Sequence, residues 1–211
     1  MDYDFEFIQE VVKGLESEKR YNHTLGVQKE AYKLGTIFLP EKAEKLSLAG
    51  LLHDITKDFT LQKQLELCKE YCIPVDTNNI VPKLLHSKTG CEYAKHLFGD
   101  LIDNEIYNSI YYHTTGRKNM TLFEIIIYLA DYIEEGRTFV DCVLLRKFFY
   151  DGIDKAHNFD EKLEVLRKTL VLSFDLTIKN LIEEEKQIDS DTIEARNFYL
   201  INKSLFYSTE V

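Results

Sequence analysis

Only 3 prolines and 9 glycines punctuate the 211 residues, and they fall between long periodic stretches rather than inside them. Proline and glycine are the residues that most readily stop a helix, so their scarcity leaves long segments free to coil. Val27, Ala31, Leu34 and Phe38 recur at steps of 4, 3 and 4, the spacing of one apolar helix face. Pro40 precedes Glu41, Lys42, Ala43 and Glu44, a setting that opens a helix through Leu46, Ala49, Gly50 and Leu52 to His53 and Asp54. Thr60 precedes a helix over 61–71, with Leu61, Leu65 and Cys68 on one side. Residues 74–79 read as a loop, and Pro82 opens a helix that reaches about Phe98. Asp103 caps a helix through Ile106 and Ile110 to Tyr112, and Thr121 with Glu124 forms a capping box for the next. Residues 140–150, 160–185 and 192 to about 204 complete the set. With no alternating strand pattern anywhere, the expected fold is all-α.

The length fits a single domain over 1–211, with a core at about 20–150 and C-terminal helices at about 160–205 packed on it. With 26 Lys and Arg against 36 Asp and Glu, the formal net charge is −10. That balance argues against a nucleic-acid surface, which needs cations to displace the counterions of phosphates. The uncharged runs are far shorter than the roughly 20 apolar residues a membrane span requires. The start, Met-Asp-Tyr-Asp-Phe-Glu, is acidic where a signal peptide is basic and then apolar. Cys68, Cys72, Cys91 and Cys142 show no closely spaced pair of pairs and read as reduced thiols. The expected location is the cytoplasm.

The chemistry concentrates in a few residues. His53 and Asp54 follow Leu48-Ala-Gly-Leu-Leu, an apolar run that should be buried. An imidazole and a carboxylate there need a partner, and a divalent cation satisfies both. Asp131 ends a stretch, Ile125 to Ala130, that is apolar all round its helix, so its carboxylate should sit against the core. Its partner would be a metal or a cation such as Arg137. His23, His86 and His113 stand near expected helix ends, the last two beside Ser87 and Thr114. Each histidine alone is ordinary. As an ordered series of imidazoles and carboxylates they suit an ion of the iron, manganese or zinc group rather than calcium. Lys57 and Arg137 could grip phosphate oxygens. Tyr112 or Tyr132 could stack on a base, and His96 and His157 read as surface residues.

The order His, His-Asp, Asp resembles the HD-domain superfamily of metal-dependent phosphohydrolases, whose fold is a helical bundle. The segments Arg20-Tyr-Asn-His-Thr-Leu-Gly-Val, Ala49-Gly-Leu-Leu-His-Asp-Ile-Thr-Lys and His113-Thr-Thr-Gly-Arg-Lys-Asn-Met-Thr look like successive motifs of the bacterial YqeK family. So do Tyr128-Leu-Ala-Asp-Tyr-Ile-Glu-Glu-Gly-Arg-Thr-Phe and Asp191-Thr-Ile-Glu-Ala-Arg-Asn. The resemblance runs from about Arg20 to Leu200.

It implies a symmetrical diadenosine tetraphosphate hydrolase that releases two ADP. It also implies a metal held by His23, His53, Asp54 and Asp131, most often iron, with manganese or zinc as alternatives. His53, Asp54 and Lys57 would serve catalysis. His23, Lys57, His86, His113, Thr114 and Arg137 would meet the substrate, and His86 and His113 would either complete a second ion site or bind phosphate. The expected partners are small nucleotides, a dinucleoside polyphosphate, ADP or GDP, with a homodimer left open. One departure is Thr56, where a smaller or apolar residue is expected before Lys57. Other readings are an HD phosphohydrolase acting on a deoxynucleotide or guanosine alarmone, and a nucleotide-sensing module without turnover.

Overall fold

The computed structural model of the chain describes residues 3–75 and 81–202. Among these, the regular structure is helical: α1 (Phe5–Leu15), α2 (Glu18–Phe38), α3 (Ala43–Leu52), α4 (Leu61–Glu70), α5 (Pro82–Phe98), α6 (Asn104–Tyr112), α7 (Leu122–Ile133), α8 (Val140–Ile153), α9 (Phe159–Glu183) and α10 (Ser190–Ile201). The all-α expectation holds. Residues 76–79 of the expected loop, and residues 203–205 of the expected C-terminal helical region, lie outside the described residues.

Capping side chains place most of the starts. Ser17 accepts from the Arg20 N–H, Thr60 from Lys63, Asp103 from Glu105 and Ile106, and Asn158 from Glu161. Helix α1 has no counterpart in the sequence reading. Asp4 caps it, and Ile8 and Val12 are its buried face. Pro40 opens a 3-10 turn, Pro40–Lys42, and α3 proper begins only at Ala43. Cys68 is buried as expected, but Cys72 lies beyond the end of α4, exposed, with φ +55°.

The chain divides into two compact units: residues 1–114 with 122–131, and residues 115–121 with 132–211. In the first unit, α2 lies directly against α3. A Cβ on Gly50 would stand 3.0 Å from the Val27 carbonyl oxygen and 3.1 Å from Ala31 Cβ. One on Gly35 would meet Ala43 Cα at 2.9 Å. At Gly35 the crossing is thus closer than a side chain allows, and at Gly50 a Cβ would require the α2 backbone to give way by a few tenths of an ångström. Helix α3 is buried all round, through Leu46, Leu48, Ala49, Leu51 and Leu52, and the Ile125–Ala130 segment of α7 is equally buried.

In the second unit, Leu145, Phe149, Leu163, Leu166, Leu170, Phe174 and Ala195 are buried. Gly116 takes φ +65°, and a Cβ there would collide with the Phe174 ring at 2.6 Å, so glycine is required on both counts. Thr192 Oγ1 donates to the Thr115 carbonyl at 3.0 Å and Tyr199 Oη to the Met120 carbonyl at 3.3 Å, fastening α10 to that loop. Arg167 makes a two-pronged bond to Glu164 and donates to the Tyr199 carbonyl at 2.9 Å. No described helix is long and apolar enough to cross a membrane.

Candidate metal centre

The first unit gathers eight of the expected site residues. His23 comes from α2, His53 and Asp54 from the turn that ends α3, and Lys57 from the same turn. His86 comes from α5, His113 and Thr114 from the end of α6, and Asp131 from α7. Five segments that are distant in sequence thus contribute to one cluster.

Two of the imidazoles are aimed by their own helices. His53 Nδ1 donates to the Gly50 carbonyl at 2.8 Å, and His113 Nδ1 donates to the Ile110 carbonyl at 2.7 Å. Each bond spends the Nδ1 proton on a carbonyl three residues earlier, so Nε2 keeps a lone pair that faces the cluster. A hydrogen bond on the far nitrogen is the usual way a protein prepares a histidine to ligate metal.

Asp54 lies at the centre, with its side chain 2% exposed. Its Oδ1 faces His86 Nε2 at 3.1 Å, His113 Nε2 at 3.3 Å and Lys57 Nζ at 3.7 Å. Its Oδ2 accepts from Arg20 Nη1 at 2.6 Å and faces His53 Nε2 at 3.4 Å and His23 Nε2 at 3.9 Å. His23 Nε2 in turn approaches Asp131 Oδ1 at 2.9 Å, and His53 Nε2 stands 3.6 Å from the same oxygen. Asp131 is 20% exposed, so it is less desolvated than the apolar run before it suggests. Its helix is central, but its position near the end of α7 leaves one side open.

The electrostatics set burial against two carboxylates. Burial alone would push the His53 imidazole down, yet Asp54 and Asp131 outweigh it and hold it up to about 10. Burial would raise Asp54, but His53, Lys57 and His113 keep it well below the ordinary carboxylate range. Burial pushes His86 down to about 3, with Lys57 adding to the effect and Asp54 opposing it. Burial likewise lowers His113, against the pull of the Asp54 carboxylate that faces it. Burial thus favours the neutral form of His86 and His113, while the two carboxylates beside His53 favour positive charge at its Nε2, which a divalent ion supplies as well as a proton does.

A divalent ion fits these residues. His53 Nε2 and Asp54 Oδ1 are buried and make no hydrogen bond, although both sit among polar neighbours. Such orphaned groups are costly unless a cation meets them. The Nε2 and carboxylate atoms of His23, His53 and Asp131 all lie within 4.8 Å of one another, as do those of His53, Asp54 and His113. Imidazole and carboxylate donors without thiolate suit iron, manganese or zinc.

Residues the sequence did not single out support this cluster. Arg20 precedes His23 by three positions on the same helix face and holds Asp54 Oδ2, a role that its place in the Arg20-Tyr-Asn-His segment does not announce. Asp58 stands 3.8 Å from Arg20 Nε and accepts the Ser17 N–H at 2.8 Å, tying the start of α2 to the turn. Glu16 is buried, accepts from Thr24 Oγ1 at 3.1 Å, and is pushed up to about 7 by burial. Thr56, the departure noted above, is fully buried, and its Oγ1 donates to the His86 carbonyl at 2.9 Å. It fastens the His53–Asp54 turn to α5. Lys57 Nζ lies 2.9 Å from His86 Nε2, and Thr114 Oγ1 lies 3.3 Å from the same nitrogen and 3.2 Å from His113 Nε2. Arg137 belongs to the second unit, where its N–H donates to the Glu134 carbonyl and its own carbonyl accepts from Arg146.

Comparison with known proteins supplies the lineage. The HD domain model matches residues 20–136. The symmetrical bis(5'-nucleosyl)-tetraphosphatase of Staphylococcus aureus is 34% identical over 182 residues, covering 86% of this chain and 87% of that protein. The protein of the same name from Halalkalibacterium halodurans is 30% identical, covering 92% and 96%. The crystal structure of a predicted HD superfamily hydrolase involved in NAD metabolism, from Clostridium acetobutylicum, superposes with a TM-score of 0.80 at 37% identity, covering 95% of this chain and 98% of that one. On this evidence the chain belongs to the HD-domain family.

Proposed function

We propose that the protein is a metal-dependent hydrolase that cuts diadenosine tetraphosphate in the middle of its phosphate chain and releases two ADP. The observation that carries this reading is the pair of buried, unbonded atoms, His53 Nε2 and Asp54 Oδ1, in a chain similar to proteins named symmetrical bis(5'-nucleosyl)-tetraphosphatase. His23, His53, Asp54 and Asp131 would hold a divalent ion, most often iron, with manganese or zinc as alternatives. Such an ion, when bound, neutralises phosphate oxygens and lowers the pKa of a water toward neutrality.

The chain's own residues do the rest. Arg20 and Lys57 border Asp54 from opposite oxygens, so two cations flank the centre and can receive phosphate charge on either side of the scissile bridge. Asp54 orients the attacking water through the oxygen that Arg20 does not fill. Thr114 offers a hydroxyl beside His86 and His113, which either bind phosphate or, with Asp54, hold a second ion. Arg137 is a further phosphate cation in this reading. An acidic protein of net charge −10 acting on a free nucleotide, with no role on nucleic acid or membrane, suits the cytoplasm.

The test is chromatographic. Iron- or manganese-loaded protein should convert one dinucleoside tetraphosphate into two nucleoside diphosphates, with no ATP or AMP. His53→Ala and Asp54→Ala should each abolish turnover and most bound metal while keeping a helical circular-dichroism spectrum. A product mixture of ATP and AMP, or full metal content with normal turnover in Asp54→Ala, would refute the assignment.

A further inference from the structure

The C-terminal motif, Asp191-Thr-Ile-Glu-Ala-Arg-Asn, supplies no residue to the candidate centre described above. It runs through the first turns of α10, whose start is fixed by Asp189, the cap that accepts the Asp191 N–H at 2.9 Å. Thr192, Ala195 and Tyr199 recur at helical spacing and form the buried face of that helix. A threonine on such a face is costly unless its hydroxyl is bonded. Thr192 is 4% exposed, and its Oγ1 donates to the Thr115 carbonyl at 3.0 Å. That partner is distant in sequence from α10, and it is the chain neighbour of Thr114.

The Thr114 hydroxyl stands 3.3 Å from His86 Nε2 and 3.2 Å from His113 Nε2. Both separations lie at the long end of a hydroxyl's hydrogen-bonding range, so a small shift decides whether either contact is made. The backbone of Thr114 is tied down on both sides. Before it, His113 Nδ1 donates to the Ile110 carbonyl at 2.7 Å, which fastens that residue to α6. After it, the Thr115 carbonyl receives the Thr192 hydroxyl, and the chain turns at once at Gly116, with φ +65°. Thr114 is the link between a ring held by one helix and a carbonyl held by another.

We propose that Thr192 is a positioning residue for the substrate: through the Thr115 carbonyl it sets where the Thr114 hydroxyl stands. The inference rests on the reading of Thr114 as a hydroxyl that meets substrate phosphate beside His86 and His113. Without the Thr192 hydroxyl, the buried Thr115 carbonyl loses its donor, and its peptide turns to find another. Thr114 takes up that rotation, because the His113 ring before it stays held. Tyr199, on the same buried face of α10, donates from Oη to the Met120 carbonyl at 3.3 Å, at the far end of the loop. It offers a comparison in which the loop is loosened away from Thr114.

Steady-state kinetics of the metal-loaded full chain on diadenosine tetraphosphate tests this, with bound metal and Tm measured beside it. Thr192→Val, which keeps the shape and removes the donor, should raise KM roughly 5- to 10-fold while kcat and bound metal stay within about twofold. Thr192→Ser, which keeps the hydroxyl, should restore the wild-type KM. Thr192→Ala, which leaves room for a water at the carbonyl, should move KM in the same direction as valine and serves if the valine variant does not fold. Thr114→Ala should raise KM at least as far, and adding Thr192→Val to it should do no further harm, since the two act in series. Tyr199→Phe should lower Tm and leave KM unchanged. A wild-type KM in folded Thr192→Val or Thr192→Ala beside an impaired Thr114→Ala would overturn the positioning role alone. Additive losses in the double variant, or an equal rise of KM in Tyr199→Phe, would overturn it as well. A wild-type KM in Thr114→Ala would remove Thr114 from substrate binding and the proposal with it. Release of ATP and AMP by the wild type would instead refute the proposed reaction, and the same comparison made on ADP affinity would still decide the role of Thr192.

Discussion

Arg20 Nη1 donates to Asp54 Oδ2 at 2.6 Å, so one oxygen of the central carboxylate is held by a guanidinium before any ion arrives. The other oxygen, Oδ1, is buried without a hydrogen bond. Asp54 therefore presents two unlike oxygens, one held by a guanidinium and one that faces His86 and His113 without a hydrogen bond.

Removing the guanidinium should let that carboxylate turn. Arg20→Ala is expected to lower kcat or metal affinity by about 10- to 100-fold, the usual cost of losing a group that orients a ligand. Arg20→Lys should recover only part of this, since an ammonium cannot hold Asp54 and also reach toward Asp58 with a planar fork. Steady-state kinetics with parallel metal titration reads both quantities. Wild-type values in Arg20→Ala would show that the bond is incidental.

His86→Ala and His113→Ala separate the two roles open to these rings. If they complete a second ion site, each variant loses about one ion per chain. If they bind phosphate, metal content holds while KM rises or kcat falls. Metal analysis beside kinetics decides between them, and unchanged values in both would place the rings outside the chemistry.

Stripping the ion should destabilise the protein, and more through Asp54 than through Asp131. Asp54 is 2% exposed and Asp131 20%, so an uncompensated charge costs more at the first. A chelator is expected to lower Tm on the order of 10 °C. Asp131→Asn should narrow that gap partly. Thermal melts of wild type and variant, with and without metal, give the four values. An equal metal shift in both proteins would mean Asp131 is not a ligand.

Glu16 sets a pH dependence of opposite sign to a surface carboxylate. Burial raises it from 4.5 to about 7, so between those values the folded chain keeps a proton that the unfolded chain has released. Stability then falls as pH rises from about 4.5 through 7. Glu16→Gln keeps an acceptor for Thr24 and removes the titration. In metal-free protein it should match wild type near pH 4.5 and exceed it at pH 8 by up to about 3 kcal/mol. Urea unfolding at the two pH values measures this, and a difference that does not change with pH would contradict it.

How far the sequence reached can be seen residue by residue. His53 and Asp54 were legible because an apolar run ends on two polar groups, a conflict that burial makes costly. The helices were legible from periodicity and caps, with α1 missed because its short stripe of Ile8 and Val12 follows an acidic start. Arg20, Glu16 and Asp58 were not legible as site residues. Their roles arise only when the start of α2 meets the turn after α3, and Asp58 takes its backbone partner from Ser17. His23 was legible as a histidine near a helix start, but not its approach to Asp131, on another helix, at 2.9 Å, which only the packing of α2 against the rest of its unit creates.

Gly50 ties two lengths together. Its missing side chain lets α2 approach α3, and its carbonyl holds the His53 ring. The gap between those helices is also the gap between His23 and His53. A bulkier residue at position 50 would pry the helices apart and carry the two imidazoles with them, so what a melting curve would record as a packing fault a metal assay would record as a lost ligand. The centre is mounted where the fold has little slack, so a shift of a few tenths of an ångström at this crossing is passed to two ligands at once.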